Sequence, residues 1–185
     1  MPSRVEFLRS CAAVVAAAVL AVVGTTATAS AAPDQSTDQS DAGFRFRNDN
    51  SGLCLSIPGG SRTVGVQATQ FDCEPDTAAK QFVVLDWYTD GYGNPVIGLS
   101  PYESFFGDRP LCLGVPGGST TQGAAVAQFE CSGNSDQMWA WDKASRLRNV
   151  KTNQCLSVYA GWTSPGVEII QWGCGDGAAQ KWRLY

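Results

Sequence analysis

Six cysteines are the most reactive side chains of this chain, and they occur as three pairs with equal spacing. The seventh cysteine, Cys11, lies in the N-terminal apolar segment. The sequence contains no histidine, which excludes Ser-His-Asp and Cys-His nucleophiles as well as the usual zinc ligand sets. We therefore expect structural disulfides and no catalytic residue, metal or cofactor. The six cysteines are Cys54, Cys73, Cys112, Cys131, Cys155 and Cys174.

Disulfides require an oxidising compartment, and the N-terminus has the layout of a secretory signal peptide. Arg4 and Arg9 precede a short apolar run, which is followed by small residues and an Ala-x-Ala site. We predict a signal peptide over residues 1–31 and a secreted, extracellular protein. The polar segment 32–43 lacks apolar residues to bury and is expected to be a disordered leader.

The charge balance argues against two classes of partner. The chain carries 13 Lys and Arg against 17 Asp and Glu, a net charge of −4, and removing the basic leader makes it more acidic. Nucleic acid and anionic membrane are therefore not expected partners.

The cysteine pairs delimit three similar segments, CLSIPGGSRTVGVQATQFDC, CLGVPGGSTTQGAAVAQFEC and CLSVYAGWTSPGVEIIQWGC. Six cysteines allow several connectivities, and the equal spacing favours one disulfide inside each copy. Each copy has apolar, β-branched runs on both sides of a Gly-rich turn, a pattern that predicts two strands. Short recurring motifs before the first cysteine and after the second predict two more strands in each copy. We expect an all-β domain over residues 44–185, with repeats at about 44–86, 87–142 and 143–185.

Cys-Leu at the start and an aromatic two residues before the second cysteine occur in each copy, and the closing motifs are Gln81-Phe82-Val83, Gln137-Met138-Trp139 and Gln180-Lys181-Trp182. In these motifs the domain resembles ricin B-type lectins and family-13 carbohydrate-binding modules. The resemblance implies a β-trefoil of three pseudo-symmetric four-stranded repeats. It also implies a carbohydrate-binding, non-catalytic monomer.

A sugar pocket combines an aromatic face with a few polar groups that fix the hydroxyls. The family places an Asp directly after Cys-Leu, where this chain has Ser56, Gly114 and Ser157. The sugar pockets are therefore expected to be degenerate. The third copy retains the most complete set, although Trp172 could instead cap the core, and packing is favoured for Phe71 and Phe129. The candidate ligand-binding residues are Trp172, Tyr159, Trp162, Ser157, Glu168, Gln180, Phe129, Asp136, Gln137, Phe71 and Gln81.

An insertion between the first two copies supports a rival function. The step from Gln81 to Cys112 is longer than the step from Gln137 to Cys155. The added residues, within 87–109, are rich in aromatic side chains and are expected to form a long loop. Aromatic loops are common in binding surfaces, so the alternative is a secreted protein-binding module, an inhibitor or adaptor, that uses this loop. The loop could also fold down and pack its own aromatics.

Overall fold

The computed structural model describes residues 43–185, and within this range twelve strands are the main regular structure, joined by loops and six short 3₁₀ turns. Its only α-helix in the described range is one turn, α1 (Tyr102–Phe105). The signal peptide and nearly all of the leader predicted from the sequence lie outside the described residues. The strands are β1 (Phe46–Asn48), β2 (Cys54–Ser56), β3 (Thr69–Phe71), β4 (Phe82–Thr89), β5 (Pro95–Pro101), β6 (Leu111–Gly114), β7 (Ala127–Glu130), β8 (Trp139–Trp141), β9 (Leu147–Asn149), β10 (Cys155–Val158), β11 (Ile169–Trp172) and β12 (Trp182–Leu184).

Each set of four strands forms one lobe: β1–β4 the first, β5–β8 the second and β9–β12 the third. In the central hairpin of each lobe, β2–β3, β6–β7 or β10–β11, the first cysteine pairs with the aromatic residue two positions before the second cysteine, as in Cys155↔Trp172. The disulfides are Cys54–Cys73, Cys112–Cys131 and Cys155–Cys174. The predicted all-β class and the disulfide within each repeat are confirmed.

The three hairpins meet each other around a pseudo-threefold axis. Isolated antiparallel bridges link Gln67 to Ala127, Ala125 to Ile170, and Glu168 to Thr69, so each hairpin touches the other two. The other strands form antiparallel pairs below the hairpins, β12–β1, β4–β5 and β8–β9. No helix in residues 43–185 is long and apolar enough to cross a membrane.

The core is built from residues that recur in each repeat. Leu55, Leu113 and Leu156, which follow the first cysteines, are fully buried. Trp139 and Trp182 are also fully buried, and each indole Nε1 donates to the carbonyl of the core leucine in its own lobe, at 3.1 Å. The rings thus bury a large apolar area while their single polar group stays satisfied.

The inserted residues are not the long loop expected from the sequence. They extend β4 and β5 into a hairpin with a register shift between Asp86 and Tyr88, followed by α1. The repeat boundary expected after residue 86 therefore falls inside β4. β4 contributes aromatic and β-branched residues and β5 contributes β-branched ones, and these side chains pair across the ladder.

Candidate functional site

The third lobe contains a shallow pocket of about 310 Å³ on the outer face of its central hairpin. Strand alternation places Trp172 and Ile170 on the same face of β11, and Ser157 of β10 lies directly opposite Ile170. Trp172 is 47% exposed, whereas Ser157 and Ile170 are buried. Ile170 thus gives the pocket an apolar floor, and the half-exposed indole of Trp172 forms part of its wall. Trp172 does not cap the core.

A tight turn after β10 supplies a second aromatic wall. Tyr159–Gly161 forms a single 3₁₀ turn in which Ala160 and Gly161 have φ of 50° and 66°. These left-handed conformations reverse the chain within three residues, so Tyr159 lines the same pocket as Trp172. Trp162 packs edge-on against Tyr159 with centroids 5.4 Å apart. Both rings are about half exposed.

The polar groups of this pocket are few. The Ser157 hydroxyl donates to the Val158 carbonyl at 3.3 Å, a long hydrogen bond that a ligand hydroxyl could replace. Glu168 is exposed, its carbonyl accepts from the Tyr159 amide at 3.0 Å, and its side chain is not part of the pocket wall. The structure therefore brings together Trp172, Tyr159 and Ser157, with Trp162 behind them, and leaves Glu168 outside.

The first lobe has an equivalent, larger pocket of about 540 Å³. Its wall includes Phe71, which is 46% exposed. Core packing, the interpretation favoured for Phe71 from the sequence, is therefore wrong: the ring lies on the outer face of β3. Ser56, at the family's Asp position, donates its hydroxyl to the Ala79 carbonyl at 3.3 Å. Lys80, which the sequence analysis did not select, also lines this pocket.

The second lobe differs at the same position because Gln137 fills the space beside Gly114. A Cβ on Gly114 would lie 2.8 Å from Gln137 Cγ and 3.2 Å from the Asp136 carbonyl oxygen. An Asp cannot fit there without displacing both groups. Phe129 is only partly exposed, and the Asp136 carbonyl accepts the Asn149 amide at 2.8 Å. Phe129 and Asp136 therefore lie beside a site in which Gln137 fills the space that the family's Asp side chain would need.

The glutamines of the closing motifs brace loops and do not line the two pockets. Gln137 Nε2 donates to the Glu130 carbonyl, and its Oε1 accepts from the Ser132 amide. Gln180 makes the equivalent contacts, with the Gly173 carbonyl and the Gly175 amide. In the first lobe Lys80 stands at the position of these two glutamines, and Gln81 Nε2 donates to the Asp76 carboxylate. These amides are already paired, so a sugar would have to compete for them.

A second set of glutamines connects neighbouring lobes. Gln70, Gln128 and Gln171 are fully buried, and strand alternation places them on the opposite face from Phe71, Phe129 and Trp172. Each Nε2 donates to two carbonyls in the hairpin turn of another lobe: Gln70 to Trp162 and Ser164, Gln128 to Ser61 and Thr63, and Gln171 to Ser119 and Thr121. They hold the turns that border the pockets.

The β4–β5 hairpin presents a separate aromatic surface. Trp87, Tyr88 and Tyr92 are exposed, Tyr92 by 80%. Asp90 orders the hairpin tip: hydrogen bonds from the Asn94 amide, and then from its side chain, hold the pKa of this carboxyl below its ordinary value. Phe106 forms edge-to-face pairs with Tyr102 and with Phe105 around α1, and its own ring is 65% exposed. The inserted aromatics thus leave exposed rings both on the hairpin and beside α1.

Comparison with known proteins identifies this architecture. The family model described as "Ricin-type beta-trefoil lectin domain" matches residues 42–182. The chain belongs to this lectin domain family. The β-trefoil and the resemblance inferred from the sequence are confirmed. A search of the curated proteins finds no significant match.

Solved structures with the lectin domain fold include proteins of several kinds. ThreeFoil, a designed threefold-symmetric protein, is 26% identical with a TM-score of 0.67, and the match covers 76% of this chain and 96% of that one. The exo-β-1,3-galactanase 1,3Gal43A from Clostridium thermocellum is 20% identical with a TM-score of 0.67, over 77% of this chain and 30% of the enzyme. The earthworm R-type lectin C-half, solved with GalNAc, is 14% identical with a TM-score of 0.56, over 77% and 97%.

Proposed function

We propose that this protein is a secreted lectin that binds carbohydrate through the third-lobe pocket and does not alter it chemically. The observation that carries the proposal is the half-exposed indole of Trp172 beside Tyr159 and the Ser157 hydroxyl. An aromatic face packs against the C–H face of a sugar ring, and a small number of hydroxyl groups orients it. Membership of a lectin domain family and the earthworm lectin solved with GalNAc support the same function.

Secretion and the absence of catalysis are parts of this proposal. Three disulfides in a small domain are typical of extracellular proteins and support export. The third-lobe pocket is lined by no carboxylate among the described residues, whereas glycoside hydrolysis generally uses two carboxylic side chains on either side of the bond. The domain would therefore hold a saccharide without cleaving it.

The pocket's shallow form has a consequence for affinity. Single sites of this kind bind weakly, and binding to a repetitive polysaccharide gains from multiple contacts. We therefore expect polymeric or surface-attached glycans to be retained better than monosaccharides. We also expect a monomer in solution.

The test is a glycan and insoluble-polysaccharide binding screen on the purified secreted chain, run beside two variants. Trp172→Ala removes the open indole and should weaken the best ligand at least about tenfold, equivalent to roughly 1.4 kcal/mol. Phe129→Ala is the matched control in the closed second lobe and should change binding little. Equal losses in both variants, or no saccharide bound by the wild type, would contradict the proposal.

The exposed aromatics of the β4–β5 hairpin favour a second candidate, a protein-binding function. Tyr92 at the tip is open to solvent, and Trp87 and Tyr88 are about half exposed on the same hairpin. Such residues are enriched at protein interfaces. A partner that is lost with Tyr92→Ser, retained with Trp172→Ala and insensitive to added saccharide would establish this function.

A further inference from the structure

The first-lobe pocket contains a buried cation. Lys80 is 5% exposed and ends the 3₁₀ turn Ala78–Lys80 on the wall of the pocket. Its Nζ donates to the Pro75 carbonyl at 2.6 Å. Within residues 43–185 this is the side chain's one hydrogen bond, and it has no ion pair. An ammonium has three N–H donors, so two remain for a ligand.

The rest of the pocket wall does not neutralise this charge. No described residue that lines the pocket carries a carboxylate, and the hydroxyls of Ser56, Thr69 and Thr77 lie on the wall with the open ring of Phe71. A buried charge without a counter-ion is costly, and an anionic ligand would remove that cost.

The carboxylates around the pocket are mostly paired with arginine. Arg45 Nη1 lies 3.1 Å from Glu74 Oε1, and Arg45 Nε lies 3.7 Å from Asp76 Oδ1. Arg62 Nη2 lies 3.7 Å from Glu103 Oε2. Glu168, whose backbone bridges to Thr69, is exposed to water and therefore screened. None of these carboxylates forms an ion pair with Lys80, so Lys80 is the charged side chain of the pocket that lacks a counter-ion among the described residues.

The third-lobe pocket has a different character. Gln180, which like Lys80 ends a 3₁₀ turn two residues before a buried aromatic, stands at the equivalent position, and no charged residue among those described lines that pocket. The two pockets share an exposed aromatic and a serine, but they differ in charge. They should therefore select different sugars.

We propose that the first-lobe pocket binds a saccharide bearing a carboxylate, a uronic acid unit, with Phe71 against the sugar ring and Lys80 paired to the carboxylate. This inference rests on the proposed lectin function and names the sugar class for a second pocket. Charge-assisted hydrogen bonds are the strongest kind, and a buried ammonium forms them with little competition from water.

The experiment compares two ligands that differ only in charge. Oligogalacturonate and its fully methyl-esterified form are titrated calorimetrically into the full secreted chain. The free acid should bind at least about tenfold more tightly than the ester, as expected for hydrogen bonds to a charged group. Lys80→Met should abolish this preference. Lys143→Met, which removes the same charge from an exposed site, should retain it. Equal affinity for acid and ester, or a preference that survives Lys80→Met, would overturn the inference.

A second variant keeps the test decisive if Lys80→Met fails to fold. Phe71→Ala leaves the hydrogen bond between Lys80 and Pro75 intact and should weaken oligogalacturonate binding at least about tenfold. Trp172→Ala separates the two proposals. Acid binding lost with Trp172→Ala but unchanged in Phe71→Ala would leave the third-lobe lectin function standing and overturn the first-lobe site. Absence of binding to any saccharide would overturn both.

Discussion

The buried glutamines show how individual residues maintain the pockets without contacting a ligand. Gln70 Oε1 accepts from the Ser51 hydroxyl at 2.7 Å, and Gln171 Oε1 accepts from the Thr152 hydroxyl at 2.7 Å. Gln128 Oε1 is buried without a partner in the described structure. In the second lobe the residues before Cys112 belong to the insertion, which replaces the turn that carries Ser51 or Thr152 elsewhere.

This asymmetry predicts an order of stabilities. Gln70→Ala and Gln171→Ala each remove three hydrogen bonds, so we expect a loss of roughly 2–4 kcal/mol in the free energy of unfolding. Gln128→Ala also removes a desolvated oxygen that has no partner and should cost less. Urea denaturation of the three variants checks the order. A larger loss for Gln128→Ala than for the other two would contradict it.

Gly114 tests the closure of the second lobe at the residue scale. Gly114→Ala places a Cβ against Gln137 Cγ and should displace the Gln137 amide from Glu130 and Ser132, at a cost of roughly 1–3 kcal/mol. Ser157→Ala, the control at the equivalent position in the third lobe, already has a Cβ and should cost under about 1.5 kcal/mol. Melting curves of the two variants measure the difference. Equal losses would show that Gln137 moves freely.

Among the elements, the central hairpins could be predicted and the β4–β5 hairpin could not. The spacing of Cys54 and Cys73 fixes both ends of β2–β3, and alternation assigns Gln70 and Phe71 to opposite faces. Residues 87–109 have no counterpart in the other two copies, so their strands could not be inferred by comparison and their aromatics suggested only a binding loop. The decisive contacts there are the bonds from Asn94 to Asp90, which form only once the tip has folded.

The tip of that hairpin should respond to acid. The pKa of Asp90 is lower in the folded protein, so its ionised form stabilises the tip above the ordinary pKa, 3.8. This stabilisation is lost as pH falls below about 4 through the folded pKa. Amide exchange at Tyr92 and Asn94 should therefore accelerate, relative to the β10–β11 hairpin, at low pH. Asp90→Asn should exchange faster at neutral pH and lose this pH dependence. Tip exchange that did not change between pH 5 and pH 2, after correction for intrinsic rates, would contradict this assignment.

At the scale of the whole molecule, the threefold sequence repeat specifies the fold because each lobe leaves an apolar side to bury against the other two. The core leucines, the buried tryptophans and the disulfides are therefore all readable from the sequence. The sites are less predictable because they depend on side chains from distant positions. Lys80 in the first pocket and Gln137 beside Gly114 act through contacts that single-sequence spacing does not reveal.

The disulfides should contribute strongly to global stability. Each closes a loop within one lobe, and closure of this length is worth roughly 3 kcal/mol in the chain-entropy model. Full reduction should therefore lower the melting temperature markedly. Calorimetry of the oxidised and reduced chains measures it, with thiol titration as the control for complete reduction. An unchanged melting temperature in a fully reduced sample would contradict this role.

The most direct measurement is a ¹⁵N NMR titration of the secreted chain with the best saccharide from the binding screen, because it locates the contact. The lectin account predicts shifts of the Trp172 indole N–H and of the Ser157 and Tyr159 amides, with the β4–β5 hairpin unaffected. Shifts confined to Trp87, Tyr88 and Tyr92, or an unperturbed Trp172 at saturation, would contradict the assignment of the third-lobe pocket as the sugar site.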